Sequence, residues 1–450
     1  MSNERQPDIR SNRLDRDELA SNFGDLHSPL SRSEALIAAD RCYFCFDAPC
    51  TTACPTGIDI PGFIQKIRSD NLRGSARTIL QENIMGGMCA RVCPTEVLCE
   101  EACVRNTHEE QPVAIGLLQR YATDPIFDAQ PPLFTRAPAT GKKIAVIGAG
   151  PAGLSCAHRL ATLGHDVVVF NRDRKPGGLN EYGIAAYKTI DDFAQREAEY
   201  ILSIGGIQLK NGHSLGDDLQ LHKLRDTYDA VFVGVGLGST NSLGLDNESL
   251  PGVESAIEYI AELRQADDLS KLPVGRRVVV VGGGMTAIDI AVQSKRLGAQ
   301  RVDLVYRRGP EQMGASQYEQ DLAQTNGVTI HHWARPLELV GKQHVQAIRF
   351  ERTELDSNGR LSSAGDPFEL TADTVFKAIG QVLDTSLLGA DTAGLEIRHD
   401  RIVINEAGRT SLSNVWAGGD CVAGGDDLTV TAVQQGKVAA IDIDRHLRKR

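Results

Sequence analysis

Eight of the ten cysteines in this 450-residue chain fall between Cys42 and Cys103. The first half of the block reads Cys42-x2-Cys45-x4-Cys50-x3-Cys54-Pro55, the second Cys89-x3-Cys93-Pro94-x4-Cys99-x3-Cys103. A [4Fe-4S] cube needs four ligands, typically thiolates, converging from different directions, and a short CxxC loop supplies two at once. In two-cluster ferredoxins the cysteine before proline reaches across to the other cube. On that pattern Cys42, Cys45 and Cys50 hold one cube and Cys54, ahead of Pro55, crosses to a second. Structural zinc is the rival reading. It more often appears as CxxC pairs separated by a longer loop, and rarely carries the Cys-Pro step twice.

Two glycine loops supply a different chemistry. Residues 142–147 read as a short strand, followed by Gly148-Ala149-Gly150-Pro151-Ala152-Gly153 and a helix from about Leu154. This is GxGxxG between strand and helix. The glycines permit a tight turn and close approach of backbone to a pyrophosphate, and the helix start offers amide donors. The next strand, 166–170, ends at Asn171, where an acidic residue would hold the ribose hydroxyls; its carbonyl still accepts a hydrogen bond, without charge. Gly177-Gly178 offers backbone able to pass close to a flavin. Residues 410–420 read as a strand ending in Gly418-Gly419-Asp420. The Asp420 carboxylate there either accepts from a ribityl hydroxyl or merely caps a turn.

The second loop follows an apolar strand at 277–281. It reads Gly282-Gly283-Gly284-Met285-Thr286-Ala287 and opens a helix over 288–297. This is GxGxxA, an accepted variant. The following strand, 302–306, ends at Arg307-Arg308. An arginine there accommodates the 2′-phosphate of NADP, whereas an acidic residue would favour NAD; the alternative is a solvated basic turn.

NAD(P)H delivers two electrons as a hydride, whereas a cluster accepts one. A flavin does both, so FAD is the natural converter, and hydride transfer needs no protein acid or nucleophile. This fits the absence of a Ser/His or Cys/His constellation. No CxxC lies near either glycine loop, which argues against a flavin-linked disulfide reductase. Cys156 and Cys421 read as core thiols.

The elements that must position these groups follow from the wider chain. Apolar residues make up 41% and charged residues 24%, as in a globular protein of about three domains. The net charge of −11 argues against nucleic acid and anionic membrane as partners. No run of about 18 apolar residues predicts a membrane span, and the polar start lacks the order of a signal peptide, so a cytoplasmic location is expected. A helical-looking stretch at 62–80 lies in the cysteine block. The expected organisation is a polar arm (1–35), a helical [4Fe-4S] domain (36–125), a Pro-rich linker (126–142), an FAD domain (143–255 and 372–450) and an NAD(P)H domain (256–371). The fold class is α/β: a helical two-cluster domain followed by two Rossmann-like domains, the FAD domain split by the NAD(P)H domain.

Several stretches carry a family resemblance from about Cys42 to Ala440. They are CYFCFDAPCTTACPTGIDIPGFI, CARVCPTEVLCEEAC, GAGPAGLSCAHRLATLGHDVVVF, VVVVGGGMTAIDIA, LVYRR and NVWAGGD. They resemble the family of the glutamate synthase small subunit and the N-terminal half of dihydropyrimidine dehydrogenase. Within it, PVAIGLLQRYATD (112–124) is similar to the dihydropyrimidine dehydrogenase type, where a glutamine here is an unusual cluster ligand; the glutamate synthase type usually carries glutamate. The resemblance implies one cube on Cys42, Cys45, Cys50 and Cys103 and another on Cys54, Cys93, Cys99 and Gln119. An all-cysteine second cube using Cys89 is the alternative. It also implies flavin contacts at Gly148, Ala149, Gly150, Pro151, Ala152, Gly153, Asn171, Gly178, Leu179, Lys188, Asp420 and Thr429. Nicotinamide contacts would be Gly283, Gly284, Met285, Thr286, Arg307, Arg308, Ala378, Ile379 and Gly380. Asn171 departs from the family's usual glutamate.

The FMN barrel of the long enzymes is not in this sequence. The resemblance therefore implies the NAD(P)H-accepting subunit of a bacterial dihydropyrimidine dehydrogenase, in a hetero-oligomer with an FMN- and iron–sulfur-containing catalytic subunit. Family members of this bacterial type mostly use NADH, against the arginine pair. The alternatives are a glutamate synthase small subunit and a non-catalytic zinc-binding adaptor.

Overall fold

The computed structural model describes residues 8–127, 132–385, 388 and 394–449. They form two compact units: residues 27–181, 191–238 and 382–449 in the first, 8–26, 182–190 and 239–381 in the second.

The first unit opens with short helices. Ser31 and Glu34 form a capping box for Arg32–Asp40, and Asp59 and Asn71 cap Ile60–Arg68 and Leu72–Glu82. The stretch expected to be helical at 62–80 is thus two helices. Asp70 sits at φ +59° between them, and the Asn71 side chain starts the second by accepting from Gly74 N–H. Phe63, Ile64, Ile67, Ile79, Leu118 and Ala122 form the core of this layer.

The same unit contains a five-stranded parallel sheet, ordered Val415–Ala417, Ala230–Val233, Lys143–Ile147, Asp166–Asn171, Ile207–Asn211. Four of its strands are largely buried on both faces, as parallel sheets require, and the edge strand Ile207–Asn211 is partly exposed. Helices Pro151–Thr162 and Thr429–Arg448 pack so closely that a Cβ at Gly436 would lie 2.1 Å from the Ala152 carbonyl. The Pro-rich stretch is no free linker: Leu133 is buried in this unit's core, with Phe134 packed on it. Residues 128–131 of that stretch lie outside the described residues.

The second unit has its own parallel sheet, ordered Val253–Ser255, Thr374–Ala378, Arg277–Gly282, Arg301–Val305, Thr329–His331. An antiparallel sheet of Ala334–Gly341, Val345–Leu355, Leu361–Ser363 and Phe368–Thr371 adjoins it in sequence. Four boundaries differ from expectation. The second nucleotide unit runs over 239–381 rather than 256–371, because Val253–Ser255 and Thr374–Ala378 pair within its sheet. It also takes in 182–190. And residues 8–26 are not a loose polar arm: Asp15 caps a helix, Arg16–Asn22, whose Leu19 joins Phe23 in that unit's core.

Candidate functional site

The cysteines fall into two neighbourhoods. Burial pushes the Cys42 thiol up, with Cys103 and Cys45 adding to the rise. Burial pushes Cys50 up to about 11, again with Cys103 and Cys42 adding. Cys42, Cys45, Cys50 and Cys103 are therefore close neighbours. In the other group a hydrogen bond with Cys89 raises Cys93 first, then burial, then Cys99 and Cys54. Cys99 is raised by burial, Glu100, Cys54 and, less strongly, Cys50 of the first group, so the two groups adjoin each other. Cys54 sits with this second group, as the crossing pattern expects of it. Thiols held protonated this way need a cation to become ligands.

The second group surrounds a small cavity lined by Cys54, Cys89, Cys93, Cys99, Gln119 and Asn83 among others. Gln119 is 7% exposed, and its Nε2 donates to the Gly86 carbonyl at 2.6 Å. That bond leaves Oε1 as the side chain's ligand atom. Among the described residues no three of His, Cys, Asp and Glu gather tightly enough for a single metal ion. A cube holds its thiolates at separate corners, wider apart than the ligands of one zinc. Cys54, Cys93 and Cys99, with Cys89 or Gln119 as a fourth donor, line one cavity, and that donor set fits a cube.

Residues far away in sequence fix the helices that carry these ligands. Glu197 accepts from Gly87 and Met88 N–H at 2.9 and 3.1 Å, at the start of helix Gly86–Val92; burial pushes its carboxyl up to about 8. Glu100 accepts from Gly116 N–H at 2.9 Å in the first turn of helix Ile115–Thr123, which carries Gln119. Arg91 grips Asp124 with two 2.8 Å bonds. Sequence reading missed all of these. The acidic residues carry no local pattern, and only the tertiary fold reveals their partners.

The first glycine loop lies at the carboxyl edge of its sheet, where nucleotide sites form. Gly150 is the N-cap of helix Pro151–Thr162, and no side chain caps it. Gly148 (φ +100°) and Gly153 are demanded by the chain itself, since a Cβ would meet the Gly234 and Gly148 carbonyls at 2.2 and 1.9 Å. Gly150 is not: the nearest atom to its added Cβ is the Gly178 Cα at 3.8 Å. The open space over Gly150 is a cradle of the kind a pyrophosphate occupies. Ala149 and Ala152 are buried in the loop. Gly178 (φ +55°) packs on Gly150, and Leu179 follows it. Thr429 donates to Asn180 Oδ1 at 2.8 Å. Burial, with Asp427 adding, pushes Asp420 up to about 6. Asn171 turns its Nδ2 to the carbonyls of Asp173 and Lys175 and to Asn211, so its amide braces the loop.

Lys188 lies in the second unit. Its ammonium is 2.7 Å from both Asp289 and Glu319. Burial works against its charge, but Asp289, Tyr187 and Glu319 outweigh that and raise its pKa. This lysine is held by carboxylates of its own unit.

In the second loop, Gly283 is required by the Tyr306 ring, 2.3 Å from an added Cβ, and Gly282 by the Ala378 carbonyl at 2.1 Å. Gly284, the uncapped N-cap of helix Met285–Arg296, has nothing within 4 Å. Met285 and Thr286 form the helix's first turn. Ala378 thus lies beside the loop, and Ile379 and Gly380 follow, tied to Asn241. Arg307 and Arg308 follow strand Arg301–Val305; their carbonyls bond Thr353 and Trp333, and their guanidiniums have no partner among the described residues.

Comparison with known proteins decides the family. Residues 142–436 match the pyridine nucleotide-disulphide oxidoreductases, and residues 19–130 match dihydropyrimidine dehydrogenase domain II, 4Fe-4S cluster. The chain belongs to the pyridine nucleotide-disulphide oxidoreductase family.

This family member is 36% identical to the glutamate synthase [NADPH] small chain of Escherichia coli (strain K12), over 93% of this chain and 92% of that one. It is 34% identical to the NAD-dependent dihydropyrimidine dehydrogenase subunit PreT of Salmonella typhimurium, over 92% and 95%. In fold it resembles FprA from Mycobacterium tuberculosis, with TM-score 0.57 and 22% identity over 70% of this chain and 85% of that one. The chain's fold is similar to T. acidophilum thioredoxin reductase (TM-score 0.54, 20% identity, 68% and 99% covered). Cys156 and Cys421, outside the cysteine block, are both fully buried free thiols. The oxidoreductase uses NAD(P)H and FAD and carries [4Fe-4S] iron–sulfur. No helix among the described residues is long and apolar enough to cross a membrane.

Proposed function

We propose that this chain is the electron-input subunit of a bacterial dihydropyrimidine dehydrogenase, in the cytoplasm. In this reading the first glycine loop would hold FAD, which would supply hydride acceptance from NAD(P)H, and the cysteines would hold two [4Fe-4S] clusters, which would supply one-electron transfer to an FMN-bearing, iron–sulfur-containing partner that reduces uracil or thymine. The supporting observation is the wall of the second cysteine cavity. It contains both Gln119 and Val430, and Val430 adjoins Thr429, which bonds Asn180 two residues beyond Gly178. Residues proposed to hold the cluster and residues proposed to hold the flavin are therefore neighbours within one unit.

The chain's own residues bind and orient. Gly148, Gly150 and Gly153 shape a cradle whose helix start offers amides to pyrophosphate. Gly283, Gly284, Met285 and Thr286 do the same for the nicotinamide nucleotide. Arg307 and Arg308 are free to meet a 2′-phosphate, which favours NADPH. Arg307→Ala with Arg308→Ala should raise KM for NADPH by about 10- to 100-fold while leaving KM for NADH nearly unchanged. Equal effects on both nucleotides would assign the pair to the surface.

The fourth ligand of the second cluster is proposed to be Gln119. Gln119→Ala should then lose about half of the bound iron, whereas Cys89→Ala keeps it. The reverse result would install Cys89. The relatives support a second reading, a glutamate synthase small subunit. Purified alone, the chain should oxidise NAD(P)H with an artificial acceptor and leave uracil untouched. Adding an FMN-barrel partner should bring uracil reduction; glutamate formation with a glutamate synthase large subunit instead would favour the second reading. Uracil reduction by the chain alone would contradict the proposal.

A further inference from the structure

We infer that Asn83 donates a hydrogen bond from Nδ2 to a sulfur of the iron–sulfur centre in the cavity of Cys54, Cys93 and Cys99, and thereby raises that centre's reduction potential. The inference rests on the proposal that this cavity holds a cube.

Asn83 ends helix Leu72–Glu82, and its backbone N–H bonds Ile79 O at 2.9 Å. The residue is 0% exposed. Its Oδ1 accepts from Met85 N–H at 3.1 Å. That bond decides which way the amide faces, because only the oxygen can accept. Nδ2 is left over, and it has no partner among the described residues. A buried donor without an acceptor costs about 1–3 kcal/mol, and such groups are rare in folded proteins.

Asn83 is also a wall of the cysteine cavity. The other walls are mostly apolar or sulfur: Pro55, Ile58, Ile60, Leu98 and Val430 beside the cysteines. The one other side-chain amide there, Gln119, has its Nε2 committed to Gly86 O. Thiolate and sulfide sulfurs are therefore the acceptors that a seated cube presents to Nδ2. Hydrogen bonds to the sulfurs are among the quantities that set cluster potentials. The reduced cube carries one more negative charge than the oxidised cube. A donor therefore stabilises the reduced form more, and the potential rises. Asn83 tunes the centre without being a ligand.

The test is a potentiometric titration of the whole chain, followed by the EPR signal of each cluster, with iron and sulfide measured on the same samples. Asn83→Leu removes the donor, and with it the acceptor of Met85 N–H, while keeping the branched side-chain shape. Its second cluster should titrate lower, by about a tenfold change in the reduced-to-oxidised ratio, which is 59 mV for one electron, with iron content and the first cluster unchanged. Asn83→Ser, whose hydroxyl donates, should fall between the two. Should Asn83→Leu not retain its cluster, the serine variant carries the comparison. Full iron with an unmoved second potential in the variant that retains it would overturn the inference alone. A wild-type chain with only one cluster would overturn the cavity reading on which it stands.

Discussion

Gly150→Val is expected to give a folded protein with less than about a tenth of the wild-type flavin, and NAD(P)H oxidation lowered by on the order of a hundredfold, a loss of about 3 kcal/mol. The expectation separates two duties that one motif combines. Gly148 and Gly153 serve the fold, since a Cβ at either would lie 2.2 or 1.9 Å from a backbone carbonyl oxygen, far inside van der Waals contact. Gly150 has an ordinary φ of −78° and 3.8 Å of clearance. Valine there costs the helix N-cap about 1 kcal/mol at most. What it fills is the space above the first amides of helix Pro151–Thr162. Flavin content from absorbance and the melting temperature of the apoprotein check both halves. Full flavin in a folded Gly150→Val chain would move the cofactor elsewhere. Gly153→Val is the contrasting control, and should not fold.

Cys54→Ala is expected to remove one of two cubes. Bound iron should fall from about eight to about four per chain. NAD(P)H oxidation by a two-electron acceptor that takes electrons from the flavin should survive, while output to a one-electron partner falls by a hundredfold or more. The reason is positional. Cys54 stands four residues beyond Cys50 in sequence, yet its neighbours are Cys93 and Cys99. Cys50 is raised by Cys103 and Cys42, and it acts on Cys99 only after Cys54 does. Loss of the first group's EPR signal in this variant, with the second group's retained, would contradict the crossing.

These two sites differ in how far the sequence disclosed them. The glycine loops were readable because strand, turn and helix are contiguous, and each glycine's reason is local. The structure starts the helices at Pro151 and Met285, a little earlier than their apolar patterns suggest. Spacing and prolines pointed to Cys42, Cys45 and Cys50 together with Cys54 crossing away from them; the remaining ligands were suggested only by the family resemblance. Strand Thr374–Ala378 was assigned to the wrong domain, because a parallel strand pairs with partners nearly a hundred residues away, here Arg277–Gly282. The antiparallel sheet of residues 334–371 was not foreseen either. Helix Arg16–Asn22 hid within a polar stretch because two side chains, Leu19 and Phe23, carry its burial. Glu197, Glu100 and Asn83 were invisible for a related reason: a lone buried polar residue has no period and no motif, only a partner. Lys188 shows the converse. The resemblance assigned it to the flavin, and the structure pairs it with Asp289 and Glu319.

The central claim is that the crowded thiols hold iron within reach of a flavin that NAD(P)H reduces. The direct measurement is an anaerobic preparation of the whole chain, analysed for iron, acid-labile sulfide, zinc and FAD, and then mixed with NAD(P)H under optical and EPR observation. About eight iron and eight sulfide per FAD, with flavin bleaching on mixing, is the predicted result. Zinc in place of iron, or a colourless chain that NAD(P)H leaves unchanged, would contradict it.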